Sequence, residues 1–142
     1  MHNDKHWVGT WTATPAPAEG GAFNNQTLRM IARTSIGGDT FRVRLSNAYG
    51  TRKLVVGAAH QALRAAGARI VPGYERGLTF GGAGSATIAA GALLVSDPVE
   101  LAGPPLGDLA LSIYLPDDVP ATFQVTGRYA RSTGAENDLL EL

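Results

Sequence analysis

The 142-residue chain contains no cysteine. Disulfide scaffolding, thiolate nucleophiles and the common cysteine-bearing zinc sites are therefore excluded, and stability must come from packing. An excess of either charge sign is also missing. Twelve basic residues balance twelve acidic ones, so no global field exists to hold nucleic acid or an anionic membrane. Glycine, proline or a charge breaks each apolar run well short of the roughly 20 residues that a membrane span needs. The polar start Met1-His2-Asn3-Asp4-Lys5-His6 lacks the apolar stretch of a secretory signal. As written, the chain reads as cytoplasmic, with neither nucleic acid nor membrane as a partner. Aromatics make up only 7% of residues, which leaves aliphatic side chains and alanine to build the core.

What is present is glycine, 18 residues of it, between many short apolar segments. That mixture suits strands joined by tight turns, and the length suits one domain. In Thr40–Asn47, Phe41, Val43 and Leu45 alternate with Arg42, Arg44 and Ser46, the period of a half-buried strand. Gln26–Arg33 is strand-like too, and Ile36-Gly37-Gly38-Asp39 between the two predicts a hairpin. Leu54–Leu63 reads as a long strand, with helix as the alternative its alanines allow. From Ala68 to Leu101 short pieces follow, Arg69–Val71, Leu78–Phe80, Ala86–Ile88 and Leu93–Val95. Pro72-Gly73, Gly81-Gly82-Ala83-Gly84 and Ala90-Gly91 act as turns between them. Leu109–Leu115 alternates again up to Pro116, and Ala121–Tyr129 reads as a last strand. The expectation is an all-β, single-domain antiparallel β-sandwich. Residues 1–6 would be a polar leader, 7–134 the sandwich and 135–142 a C-terminal tail.

Acyl transfer needs a nucleophile raised on a sharp turn, a base and an oxyanion hole. The chain has no G-x-S-x-G elbow, and Gly38-Asp39-Thr40 carries Thr where a nucleophilic Ser would stand. His2 and His6 belong to the leader, and His60 reads as a core or edge residue rather than a base. Gly81, Gly82 and Gly84 lack the Lys-Ser/Thr that a phosphate loop requires. No catalytic residue, metal site or cofactor is expected. Arg29, Arg33, Arg42 and Arg44 would form a basic stripe if their strands paired, as a solvated face or one that docks acidic neighbours. Trp7 and Trp11 share a face of a short extended segment; closing a core is the preferred reading, with stacking on sugar rings as the alternative. Asn47 and Tyr49 lie in a turn. Trp7, Trp11, Arg42, Arg44, Asn47 and Tyr49 are the candidates for ligand binding or docking.

Several strings also occur together in an ordered set. They are Trp7–Trp11, Asn25–Arg29, Arg33–Asp39, Arg42–Gly50, Leu78–Gly82, Val95–Val99, Ile113–Pro116 and Pro120–Phe123. In this order and spacing they resemble the N-terminal region of two-domain SGNH/GDSL-type hydrolases, the lysophospholipase-like or arylesterase-like esterases. The resemblance runs from about Trp7 to about Gly134 and implies a jelly-roll-like β-sandwich that precedes the catalytic domain. The family's nucleophile, oxyanion-hole and Asp-x-x-His blocks belong to that following α/β domain, so no catalytic residue carries over. Glu136–Leu142 does not look like the family's usual linker. The implied role is a non-catalytic accessory domain for an SGNH hydrolase domain in cis or in trans, in contact with its carbohydrate or ester substrate. An independent carbohydrate-binding module using Trp7, Trp11, Tyr49 and Tyr74, or a self-associating structural sandwich, is the alternative.

Overall fold

The computed structural model describes residues 7–10, 23–117 and 129–133. Among these residues there are eleven strands and no helix, and all the pairings are antiparallel. β10 (Asp108–Leu115) is the middle strand of a five-stranded sheet ordered β11-β1-β10-β5-β6. Its alternation turns Leu109, Leu111, Ile113 and Leu115 to one face. β1 (Gln26–Arg33) sets Leu28 opposite Ile113 and Met30 opposite Leu111, and β5 (Ala58–Arg64) sets Ala59 and Gln61 opposite the same two residues. β6 (Ile70–Gly77) and β11 (Tyr129–Thr133) form the edges.

The facing layer consists of three two-stranded ribbons. β2 (Gly38–Phe41) pairs with β9 (Val99–Gly103), β3 (Arg44–Ser46) with β8 (Leu93–Val95), and β4 (Leu54–Val56) with β7 (Ala86–Ile88). The first two are one ladder interrupted at residues 42–43 and 96–98. Ser96 bridges the gap, its N–H donating to the Val43 carbonyl while its Oγ accepts from the Val43 N–H, both at 2.8 Å. Between the layers Leu28, Ile113 and Leu115 pack with Phe23, Leu54, Val56, Leu78, Phe80 and Ile88. A second cluster joins Phe41, Leu101 and Leu109. The fold is therefore an antiparallel β-sandwich, as the alternation predicts.

Several local expectations are corrected. The hairpin between Gln26–Arg33 and Thr40–Asn47 does not form: β1 is flanked on both sides by β10 and β11, and β2 belongs to the other layer. The chain changes sheets at Thr34–Gly37. There the Thr34 N–H donates to the Gly107 carbonyl at 2.8 Å and its hydroxyl to the Pro104 carbonyl at 2.7 Å. An added Cβ at Gly37 would stand 2.5 Å from the Gly103 carbonyl oxygen, so only glycine permits this crossing. Pro72-Gly73 is not a turn between strands. It is a bulge within β6, where the register jumps from Ala62–Glu75 to Arg64–Ile70. Leu78–Phe80 is not a strand; Phe80 makes one isolated bridge to Ala83. The four-arginine stripe does not assemble, because Arg29 and Arg33 are on β1 and Arg42 and Arg44 in the other layer. Arg29 is 2% exposed, its Nε donating to Ser112 Oγ at 2.8 Å and its Nη1 to the Ala68 carbonyl at 2.7 Å. Leu54–Leu63 is extended, as β4 and β5, with a break at Gly57 where a Cβ would press on the Tyr114 ring.

Gln61 faces inward, directly across from Leu111, between the rows that carry the two core clusters. It is 3% exposed and its Oε1 has no hydrogen-bond partner among the described residues. A buried, unpaired acceptor costs about 1–3 kcal/mol. Gln61→Met keeps the volume and removes the acceptor, and is expected to raise unfolding stability by about 1 kcal/mol, read as a higher urea midpoint at unchanged slope.

Candidate functional site

The outer surface of the ribbon layer follows from strand periodicity. Val43, Leu45 and Leu94 pack against the core, so Arg44, Ser46, Leu93 and Val95 project outward; Ser46 and Leu93 are cross-strand partners, as are Arg44 and Val95. Leu93 is 54% exposed, which nothing inside the fold requires. Along the same run the Arg42 guanidinium lies over the Trp7 ring, 4.2 Å from its centroid. Trp7 is 45% exposed, so the preference for a core-closing Trp7 is overturned. The short Trp7–Thr10 segment is held in place by Thr10, whose hydroxyl donates to the Ile36 carbonyl at 2.6 Å and accepts from the N–H groups of Ser35 and Ile36 at 3.1 Å. Trp11 lies outside the described residues, as do the leader, the tail and most of the expected last strand Ala121–Tyr129.

At the end of β3 the chain turns through Asn47-Ala48-Tyr49-Gly50. Asn47 is 5% exposed, and its Nδ2 donates to the carbonyls of Arg52, Ile88 and Ala89 at 2.9, 3.1 and 3.2 Å. Its own carbonyl accepts from the N–H groups of Gly50 and Gly91, and its N–H donates to the Ala92 carbonyl. One side chain thus ties three stretches of backbone. A Cβ at Gly50 would collide with the Asn47 side chain. Held on this tie, Tyr49 stands 52% exposed. Trp7, Arg42, Arg44 and Tyr49 therefore belong to one layer, with Asn47 as the buried support under the last of them.

Charge is unevenly spread over this layer, with Asp39 and Glu100 both on the β2–β9 ribbon. Between Asp39 and Glu75 the chain has no acidic residue, and from Gly77 to Ser96 it has no charge at all. The ribbons β3–β8 and β4–β7 and the turn between them thus contribute Arg44, Arg52 and Lys53, with Arg42 alongside and no carboxylate. Three ion pairs lie on the five-stranded sheet. Arg64 and Arg33 meet Asp108 at 2.7 and 3.7 Å, and His60 stands 3.9 Å from Glu75. Periodicity overlooked Leu93; the signal lay in Leu93-Leu94, since adjacent leucines in a strand cannot both face inward.

The glycine-rich turn after Phe80 has a physical reason for not being a phosphate loop. Its backbone donors are already occupied by a carboxylate. The N–H groups of Gly82 and Gly81 donate to Asp97 at 2.8 and 3.0 Å and the Thr79 hydroxyl at 2.7 Å. Led by the Gly82 bond, these three hold the Asp97 carboxyl below its ordinary value, against a small opposing effect of burial. A carboxyl that ionises more readily folded than unfolded stabilises the fold above its unfolded pKa of 3.8, and that contribution is lost as pH falls through the lower folded value. Wild type is therefore expected to lose stability on acidification below pH 3.8 more steeply than Asp97→Asn, which lacks the increment throughout, in urea denaturation series run at several pH values.

One set of neighbours on the opposite sheet has the residue types of a hydrolytic triad. Ser112 and His60 are cross-strand partners, and Glu75 follows on β6. The contacts differ from those of a triad. Ser112 is 3% exposed and its Oγ accepts from Arg29, a cation that cannot take a proton, while the His60–Glu75 separation of 3.9 Å exceeds hydrogen-bonding range. Among the described residues no group of three or more His, Asp or Glu side chains stands close enough to hold a metal ion, and no helix is long and apolar enough to cross a membrane.

The arrangement defines a class: an antiparallel β-sandwich whose ribbon layer exposes Leu93, Tyr49 and a Trp7–Arg42 stack. Comparison of the sequence with protein-family models and with curated proteins finds no match.

Proposed function

We propose that the chain is a non-catalytic accessory β-sandwich that works beside an SGNH/GDSL-type ester hydrolase domain, packing on it and helping to present its substrate. The reading rests on the ordered strings from Trp7 to Phe123 that resemble the N-terminal region of those enzymes. The jelly-roll-like connection of the strands belongs to this reading. The polar contacts of Ser112 support it, because they leave that serine bonded to a guanidinium rather than to a base. With p-nitrophenyl acetate, the purified chain is expected to hydrolyse no faster than buffer. Enzyme-like turnover abolished by Ser112→Ala or another single serine substitution would overturn the proposal.

A second reading, an independent carbohydrate-binding module, is favoured by the exposed Trp7 ring stacked on Arg42. Sugar rings bind to such aromatic platforms through their apolar faces. Titration with xylan or cello-oligosaccharides would then move tryptophan fluorescence saturably, and Trp7→Ala would remove the change. A flat response excludes this second reading.

A further inference from the structure

We infer that the loop end made by residues 7–10, 34–38 and 103–107 is an insertion tip for the surface of a neutral, phosphocholine-bearing lipid bilayer. It stands independently of the accessory role.

The three segments are joined directly. The Ser35 N–H donates to the Thr10 carbonyl at 3.0 Å and the Thr10 hydroxyl to the Ile36 carbonyl at 2.6 Å, while the Thr34 hydroxyl donates to the Pro104 carbonyl at 2.7 Å. Gly37 lies so near Pro105 that an added Cβ would stand 2.7 Å from its nitrogen. What this end shows to solvent is apolar. Val8 is 55%, Ile36 48% and Leu106 64% exposed, and Pro104 and Pro105 are exposed beside Leu106. Leu106 has a φ of 55°, a left-handed conformation that strains a leucine and suits Gly or Asn. The turn therefore gains nothing from this side chain, and what leucine adds is apolar surface.

Backbone pairing points to lipid, because a hydrocarbon medium strongly penalises unpaired N–H and C=O groups. The N–H groups of Thr34, Ser35, Ile36 and Gly107 all donate within the tip, and Pro104 and Pro105 have none to leave open. Charge points the same way. The three segments contain no charged side chain, whereas Arg33, Asp39 and Asp108 adjoin them in the chain and the Arg42 guanidinium lies over the Trp7 ring. An uncharged apex above a collar of both signs complements hydrocarbon beneath a zwitterionic headgroup layer. Glu100 sits farther down the β2–β9 ladder, opposite Thr40. Zero net charge argues only against electrostatic capture by an anionic bilayer, and an apolar tip needs none. A protein partner or a second copy fits less well. Each side of a stable protein interface contributes roughly 20–30 residues, more than the three segments hold, whereas side chains entering lipid need no complementary surface.

The test uses the full chain with sucrose-loaded phosphatidylcholine vesicles, read by co-sedimentation and by tryptophan quenching with brominated phosphatidylcholine. Saturable binding is expected, changing by no more than about twofold when salt is raised or phosphatidylserine is added. Leu106→Asn should weaken it by about tenfold or more while leaving the urea midpoint unchanged or raised, since Asn suits the left-handed backbone. Ile36→Ser should weaken it similarly. Leu93→Ser is the control: Leu93 is equally exposed but pairs with Ser46, roughly 25 Å along the ribbons from Gly38, and its loss should change nothing. Circular dichroism establishes that each variant is folded. No binding to phosphatidylcholine, binding only to anionic vesicles, or undiminished binding by folded Leu106→Asn and Ile36→Ser would each overturn the inference. So would self-association by light scattering that these two variants abolish in the absence of vesicle binding. The accessory reading survives all of these results, since it falls on serine-dependent ester hydrolysis.

Discussion

Asn47→Asp is expected to destabilise the fold by about 3 kcal/mol near neutral pH, although it changes a single NH2 group to an oxygen. The Asn47 Nδ2 donates to the carbonyls of Arg52, Ile88 and Ala89 in a site that is 5% exposed. An ionised Asp there turns an acceptor toward three acceptors. The same repulsion raises the folded-state pKa of the new carboxyl above its unfolded value of about 3.9. The sign is thus opposite to that of Asp97. The penalty is smallest below the unfolded pKa, where a protonated carboxyl still donates one bond, and grows to its full size above the folded pKa. Urea denaturation at about pH 4 and about pH 7 should show the variant recovering part of its deficit at the lower value. Asn47→Ala should lose a similar amount with no such recovery.

Leu28→Ala is expected to be the most damaging of the simple truncations. Leu28 is 0% exposed at the middle of β1, opposite Ile113, and packs in the larger of the two core clusters. Losing its three outer carbons and leaving a cavity costs about 2–5 kcal/mol, with the upper half of that range expected where sheets on both sides prevent collapse. Leu93→Ala provides the contrast. It removes the same atoms from an exposed position and should change stability by no more than about 0.5 kcal/mol. Parallel urea midpoints for the two variants test the assignment of inner and outer faces directly. Equal losses would mean that Leu93, too, is a core residue.

Much of this arrangement is legible in the sequence. The alternation in Leu109–Leu115 identified β10 and its inward face, and the alternation in Phe41–Leu45 identified the face that carries Arg42 and Arg44. Both are consequences of a two-residue period, a property of one strand alone. Partners were not legible in the same way. The turn residues at Ile36–Asp39 suit a hairpin, yet Thr34 and Gly37 bind the loop at Pro104–Gly107 instead and send the chain to the other layer. A turn's local preference fixes how the backbone bends, not which distant strand competes for its edge.

The candidate site divides along the same line. That Trp7, Arg42, Arg44 and Tyr49 are candidates for binding or docking could be read from residue type and strand period. That Trp7 stacks on Arg42 in the open, that Leu93 joins the same surface, and that Asn47 is spent on backbone carbonyls depended on pairings between residues far apart in the chain. Class, periodicity and the faces of individual strands are local properties that each segment carries with it. Neighbours, burial and the use of each donor are decided when two layers compete for the same apolar surface, and only the assembled sandwich settles that competition.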